Sequence, residues 1–388
     1  MKTFKPLTSR SLKSTSIWVC FCFLSIFSSL SCQNQSGEQQ SEVLVLPSGS
    51  CTAAWADSTA MDFVNQLELA TKTRHTVWNG YKLGDGAVVL HAGKSADSTE
   101  CLGLWKGGKV ISYVEASEGP KLSTPLYGYH LNFQNPKEAY ENPLTELSQQ
   151  PVDISQWLEE YNVRSAVLMP VDFPNFPFKI PALMKMQIAI HEAFHVEVMI
   201  RYWYTGKGAW PAWDEQPDRQ GLQNCYNSNE AVKQALQEER AKLSNLIEAL
   251  LDEDKAAACL AGNEFLGQRA IRYDLLKYVK VNRQDETQCN CSEAENIMEL
   301  EEGLADYASW TMLYDIDLSS REALLRRYRA IQNEPFYLSG AMLMHAVSLM
   351  NNGEVSDIIS DMANSSDQST GAPFPIFEKE FARFCLEE

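Results

Sequence analysis

The pentapeptide His191-Glu192-Ala193-Phe194-His195 sets the tightest constraint on this chain of 388 residues. It sits in an apolar run, with Ile188, Ala189 and Ile190 before it and Val196 after it, that reads as helix over residues 182–204. A helix apolar around most of its circumference belongs inside a core. Two imidazoles on such a helix need partners, because a buried polar group left unsatisfied costs about 1–3 kcal/mol. The four-residue step puts both rings on one face, a turn apart. There they can grip one metal ion, or be satisfied separately by backbone groups and carboxylates. Glu192 is offset slightly from that face. It can reach a water held at a metal without becoming a ligand, which is what a general base requires.

A hydrolytic zinc site takes three protein ligands and leaves one position open for water. The candidate third ligand comes from Met298-Glu299-Leu300-Glu301-Glu302-Gly303-Leu304-Ala305-Asp306-Tyr307. Read as a continuous α-helix over residues 295–314, this segment puts Glu299, Glu302 and Asp306 on one face and turns Glu301 about a quarter turn away. Glu302 is the expected ligand. Asp306, one turn on, is placed to accept the free ring N–H of a ligating histidine, expected to be His191, fixing its tautomer. Gly303 is expected to let this helix approach the His191 helix closely. The alternative for a Glu-rich run is a solvated helix face.

HEAFH followed by EGLADY resembles the gluzincin zinc peptidases, which include the thermolysin-like and peptidase-MA-like families. The resemblance covers residues 163–350, and its specific content is the two motifs. It implies a zincin-like metallopeptidase domain with Zn2+ held by His191, His195 and Glu302, supported by Asp306, and Glu192 as the base that activates water. The implied partner is a peptide or protein substrate. Tyr337, in Tyr337-Leu338-Ser339-Gly340, is similar to a tyrosine-x-x-glycine segment of several such families and would donate to the oxyanion; Tyr307 and His345 are the alternatives. Glu302 follows His195 by 107 residues, a longer separation than in the best-known members. The helical pattern at residues 229–281 would then be an inserted hairpin, either a wall over the cleft or scaffold. Two other readings stay open: a zinc-stabilised surface binding protein without turnover, and a zinc hydrolase of a non-peptide substrate.

The start of the chain has a different character. Lys2, Lys5, Arg10 and Lys13 precede an apolar run over residues 17–30, and no acidic residue occurs before Glu38. The run is short for a bilayer span and ends in small residues, as an export signal does. Residues up to Cys32 resemble a bacterial lipoprotein signal, which implies cleavage after residue 31 and a lipid on Cys32. Ser29 stands where that family usually has leucine, and simple secretion is the alternative. Residues 32–57 are then a flexible tether, polar and glycine-containing at their start. Removing residues 1–31 removes four cations and no anion, and takes the formal charge from −18 to −22. So acidic a surface repels nucleic acid and anionic headgroups, leaving the lipid anchor as the expected membrane contact.

Seven cysteines follow Cys32, in a chain expected in a non-reducing compartment. Proximity of segments pairs Cys51 with Cys101 and Cys225 with Cys259; Cys289-Asn290-Cys291 lacks the second pair of a cysteine zinc site.

The remaining pattern is α+β: a small β-rich region at residues 58–150, opened by a helix at 58–71, packed on a mainly helical domain at 151–388. Strands are expected at 76–81, 87–91, 102–105, 109–113 and 127–133, each short and bounded by Gly or Asp turns, with a buried strand at 163–171. His75, His91 and His130 in this region read as structural or surface residues. A break is expected at 206–221, helices at 229–251 and 255–281, a loop at 282–293, and further helices at 320–332, 337–350 and 377–386.

Overall fold

The computed structural model describes residues 51, 55, 58–71, 83, 87–92, 100–116, 129–132, 157, 160–163, 165–170, 182–195, 219–227, 229–282, 287–315, 335–364 and 371–386. The signal segment, Cys32, most of the tether, His75, the expected strand at 76–81, the helix continuation at 196–204 and the expected helix at 320–332 lie outside the described residues, as do the side chains of His91, His130 and Tyr337.

A helix, α1 (Ser58–Ala70), precedes five strands: β1 (Ala87–Ala92), β2 (Glu100–Lys106), β3 (Lys109–Ala116), β4 (Tyr129–Asn132) and β5 (Ser165–Pro170). Gly107 at φ 61° and Gly108 at φ 86° close the β2–β3 hairpin in two residues, the left-handed backbone that favours glycine. The strands form one sheet in the order β3-β2-β1-β5-β4, antiparallel except for the parallel pair β1 and β5. Strand β5 thus joins strands from before residue 150 to the helix that follows. Val88, Val89 and Leu90 are all fully buried, so β1 is covered on both faces, as expected for a central strand. The chain is pinned to this core from Cys51, which is disulfide-bonded to Cys101 of β2. Trp55 is buried with its ring over Gly103, where a Cβ would come within 2.6 Å of it.

Helices dominate the rest. After β5 comes α2 (Ala182–Phe194), then α3 (Arg219–Asn227), α4 (Glu230–Leu251) and α5 (Lys255–Leu276). Part of the expected break at 206–221 is therefore helix. Asn229 caps α4 by accepting from Val232 N at 3.0 Å, and Asp254 caps α5 by accepting from Ala257 N at 2.9 Å. Helix α5 stops at Leu276, not at residue 281: two short paired strands, β6 (Lys280–Asn282) and β7 (Gln288–Asn290), follow it and reach into the expected loop. Helix α6 (Cys291–Met298) then starts four residues earlier than its sequence pattern indicated. Its capping box pairs Asn290 with Glu293.

The continuous helix expected over 295–314 is interrupted. Residues Glu299–Gly303 form one wide π turn between α6 and α7 (Leu304–Asp315). Helices α8 (Pro335–Met350), α9 (Ser356–Asn364) and α10 (Pro373–Leu386) complete the described elements. Gly303, expected to ease the approach to the His191 helix, has its closest neighbours elsewhere. It meets Gly340 of α8, where a Cβ on Gly303 would come within 2.5 Å of the Gly340 Cα. Two glycines facing each other let the π turn and α8 touch backbone to backbone.

The cysteine pairing expected for Cys225 is corrected. Cys225 bonds Cys291 at the start of α6, Cys259 bonds Cys385 of α10, and Cys289 is a buried free thiol. Both corrected bonds join segments far apart in sequence, which only the tertiary fold brings together.

Candidate metal centre

Helix α2 is buried on nearly all sides, and Gln187, His191 and His195 recur on one face at four-residue steps. Helix α7 packs along it. Between them, Glu302 Oε2 lies 3.2 Å from His191 Nε2 and 3.4 Å from His195 Nε2, and the two Nε2 atoms are 3.0 Å apart. Zinc bonds of about 2.0–2.1 Å in tetrahedral array put neighbouring ligand atoms about 3.3–3.4 Å apart. The observed triangle fits that spacing, and two imidazoles with one carboxylate are a donor set suited to a catalytic divalent metal. Among the described residues these three form a group of His, Cys, Asp or Glu side chains able to hold a metal ion, and all three are buried.

Asp306 Oδ1 sits 3.6 Å from His191 Nδ1, an ion-pair distance on the ring edge opposite Glu302. Glu192 is buried beside both rings, close enough for its carboxylate to favour their protonated forms. Burial works to lower the pKa of His191, but the carboxylates of Asp306 and Glu302 outweigh it and push it up to about 10. His195 goes the other way: burial outweighs the pull of Glu302 and lowers its pKa. In the metal-free centre the protonated form is thus favoured on His191 and disfavoured on His195. A divalent cation held by the three ligands would have to displace a proton from His191 and would offset the neighbouring acidic groups.

The π turn decides which glutamate faces the histidines. On a regular helix Glu299 and Glu302 would share a face; the wider turn rotates them apart. Glu299 instead points to Arg269 of α5, with Nη2 donating to Oε1 at 2.6 Å and Nη1 to Oε2 at 3.3 Å. Arg269 also donates to Glu239 of α4 at 2.9 Å and to Glu295 of α6 at 3.2 Å. Arg272 donates to the same two glutamates, at 2.5 Å to Glu239 Oε2 and 2.7 Å to both oxygens of Glu295. Both guanidinium groups are fully buried. The hairpin of α4 and α5, read from sequence as a wall or scaffold, is a brace for the helix that carries Glu302. Glu301, expected about a quarter turn from that face, is buried as well.

The oxyanion-donor candidates separate. Tyr307 is buried and packs edge to face on His345 of α8, ring centroids 4.8 Å apart. Burial lowers the pKa of His345 to about 3, against a smaller upward pull from Asp306, so its ring is neutral. Tyr337 lies in the first turn of α8. Gly340, three residues on, serves the contact with Gly303.

Gln187 was not singled out from sequence, nor were Arg269 and Arg272. The signal for Gln187 was its place one turn before His191 on the same face; for the arginines it was a three-residue step on the buried side of α5.

Compared with protein-family models, with curated proteins and with solved structures, the chain matches none. The metal-centre reading accordingly stands on the geometry of these side chains.

Proposed function

We propose that this chain is a zinc-dependent hydrolase acting on amide bonds of a peptide or protein substrate. The observation that carries the reading is the buried triangle of His191 Nε2, His195 Nε2 and Glu302 Oε2 with sides of 3.0–3.4 Å, flanked by Glu192. Bound zinc would supply Lewis acidity, lowering the pKa of a water and polarising a carbonyl. The residues do the rest. Glu192 accepts the water proton and returns it to the leaving amine, while Asp306 keeps the His191 Nδ1 edge engaged so that Nε2 faces the triangle. A Glu192 that is buried yet outside the triangle favours turnover over a purely structural metal.

The reading extends to an exported, lipid-anchored protein with the anchor on Cys32. It is supported by three disulfides, which persist in non-reducing compartments. Among the described residues no helix is long and apolar enough to cross a membrane.

Elemental analysis of the purified protein, with cleavage of a quenched fluorescent peptide library measured beside it, tests the proposal. About one zinc per chain is expected in wild type, lost in Glu302→Ala and retained in an inactive Glu192→Gln. Wild type that stays zinc-free after dialysis against zinc would remove the reading; bound zinc with no turnover on peptides would turn it toward a binding protein.

A further inference from the structure

We infer that Gln187 is a positioning residue for the metal centre, acting through Asp306; the inference rests on the zinc reading above. Gln187 is buried, and its Nε2 donates to Asp306 Oδ1 at 2.5 Å and to Ser309 Oγ at 3.4 Å. The orientation of its amide follows from chemistry: a carboxylate oxygen accepts from the NH2 group, whereas the amide oxygen in that place would repel it. Asp306 Oδ1 is also the atom that faces His191 Nδ1, at 3.6 Å. Gln187 and His191 therefore converge on one carboxylate oxygen from successive turns of the same helix.

That convergence has a mechanical consequence. A buried aspartate can rotate about its side-chain bonds, and Asp306 keeps His191 in the tautomer with Nε2 free only if Oδ1 stays on the Nδ1 edge. The contact to His191 is longer than a hydrogen bond, so it does not by itself fix that rotamer. The donation from Gln187 does, and it is charge-assisted. Ser309 completes the anchor on α7: its Oγ donates to the Asp306 carbonyl at 2.9 Å. The chain Gln187–Asp306–His191–Glu302 thus links α2 to α7 and returns to the triangle, by hydrogen-bond distances except at the 3.6 Å ion-pair contact of Asp306 with His191.

The test is zinc affinity of the full chain, by competition with a chromophoric chelator, for wild type, Gln187→Met, Asp306→Asn and the double variant. Removing a group that orients a metal ligand weakens binding about 10–100-fold. Gln187→Met is expected to weaken zinc about 10-fold, Asp306→Asn at least as much, and the double variant no more than Asp306→Asn alone, because Gln187 has nothing left to act through. Gln187→Leu, which has no donor, is the second probe and is expected to weaken zinc as much as Gln187→Met. Thermal melts of the metal-free proteins separate this from general loosening, which would lower the melting temperature and give additive losses. Unchanged zinc affinity in both Gln187 variants, or losses that multiply in the double variant, would overturn the inference while leaving the triangle intact. A wild type that binds no zinc would take down the metal reading and this inference together.

Discussion

Gly340→Ala tests whether the seam between α8 and the π turn sets the position of Glu302. The added Cβ would lie 2.5 Å from the carbonyl oxygen of Glu299, 2.8 Å from Gly303 Cα and 3.0 Å from Glu299 Cα. All three are backbone atoms, so no side chain can swing aside. Restoring ordinary contact of about 3.4 Å requires the two segments to part by roughly 0.9 Å, and overpacking of this kind costs about 1–3 kcal/mol. Glu302 precedes Gly303 and moves with it. Zinc–ligand distances fall within about 0.2 Å of their usual values, so a shift of even half that opening is well outside that range and is expected to weaken zinc binding about 10-fold or more. Urea unfolding of the metal-free protein reads the first effect, chelator competition the second. Gly267→Ala is the matched control: its Cβ would have nothing within 4 Å, and on the exposed face of α5 it is expected to stabilise by about 0.5–1 kcal/mol. Gly340→Ala with the wild-type urea midpoint and zinc affinity would refute the claim that the glycine pair holds Glu302 in place.

Three further outcomes are expected. Arg269→Met leaves Glu239, Glu295 and Glu299 with one buried guanidinium instead of two, and should cost about 3–5 kcal/mol in urea unfolding; a loss under about 1 kcal/mol would show that the brace carries little. His345 has a folded pKa of about 3 against 6.5 unfolded, so the unfolded state binds its proton first as pH falls. Its contribution is complete above about pH 6.5 and is lost by about 1.4 kcal/mol per unit down to pH 3; His345→Leu should flatten the acid limb of a stability–pH curve, and an unchanged slope would argue against a buried neutral ring. Serine at both Cys259 and Cys385 opens a bond spanning 126 residues and should lower stability by about 2–5 kcal/mol in non-reducing buffer, with no change expected if the C-terminal helix is held by packing alone.

Much of the architecture is legible from local pattern. Short strands between Gly turns, the α4–α5 hairpin with its Asn229 and Asp254 caps, and the helix at α8 each follow from a few adjacent residues. His191, His195 and Glu192 could be chosen because a four-residue step on an apolar helix is a local fact. Glu302 required a further premise, that the carboxylate run is helical and faces the histidines; the histidines do converge on Glu302.

The sequence by itself determined which chemistry the chain can offer: two imidazoles one turn apart, a neighbouring carboxylate, and a second acidic helix. Tertiary structure alone decided how it is held. That Glu299 turns to Arg269 while Glu302 turns to the histidines goes with a π turn, packed beside an ion cluster drawn from α4, α5 and α6. Periodicity cannot carry that information, because the helical repeat assumes a constant angle per residue and the π turn departs from that angle at one place. The partners of Cys225 and Cys259, the Gly303–Gly340 contact and the hydrogen bond from Gln187 to Asp306 were hidden for the same reason: each joins residues whose separation in sequence says nothing about their separation in space.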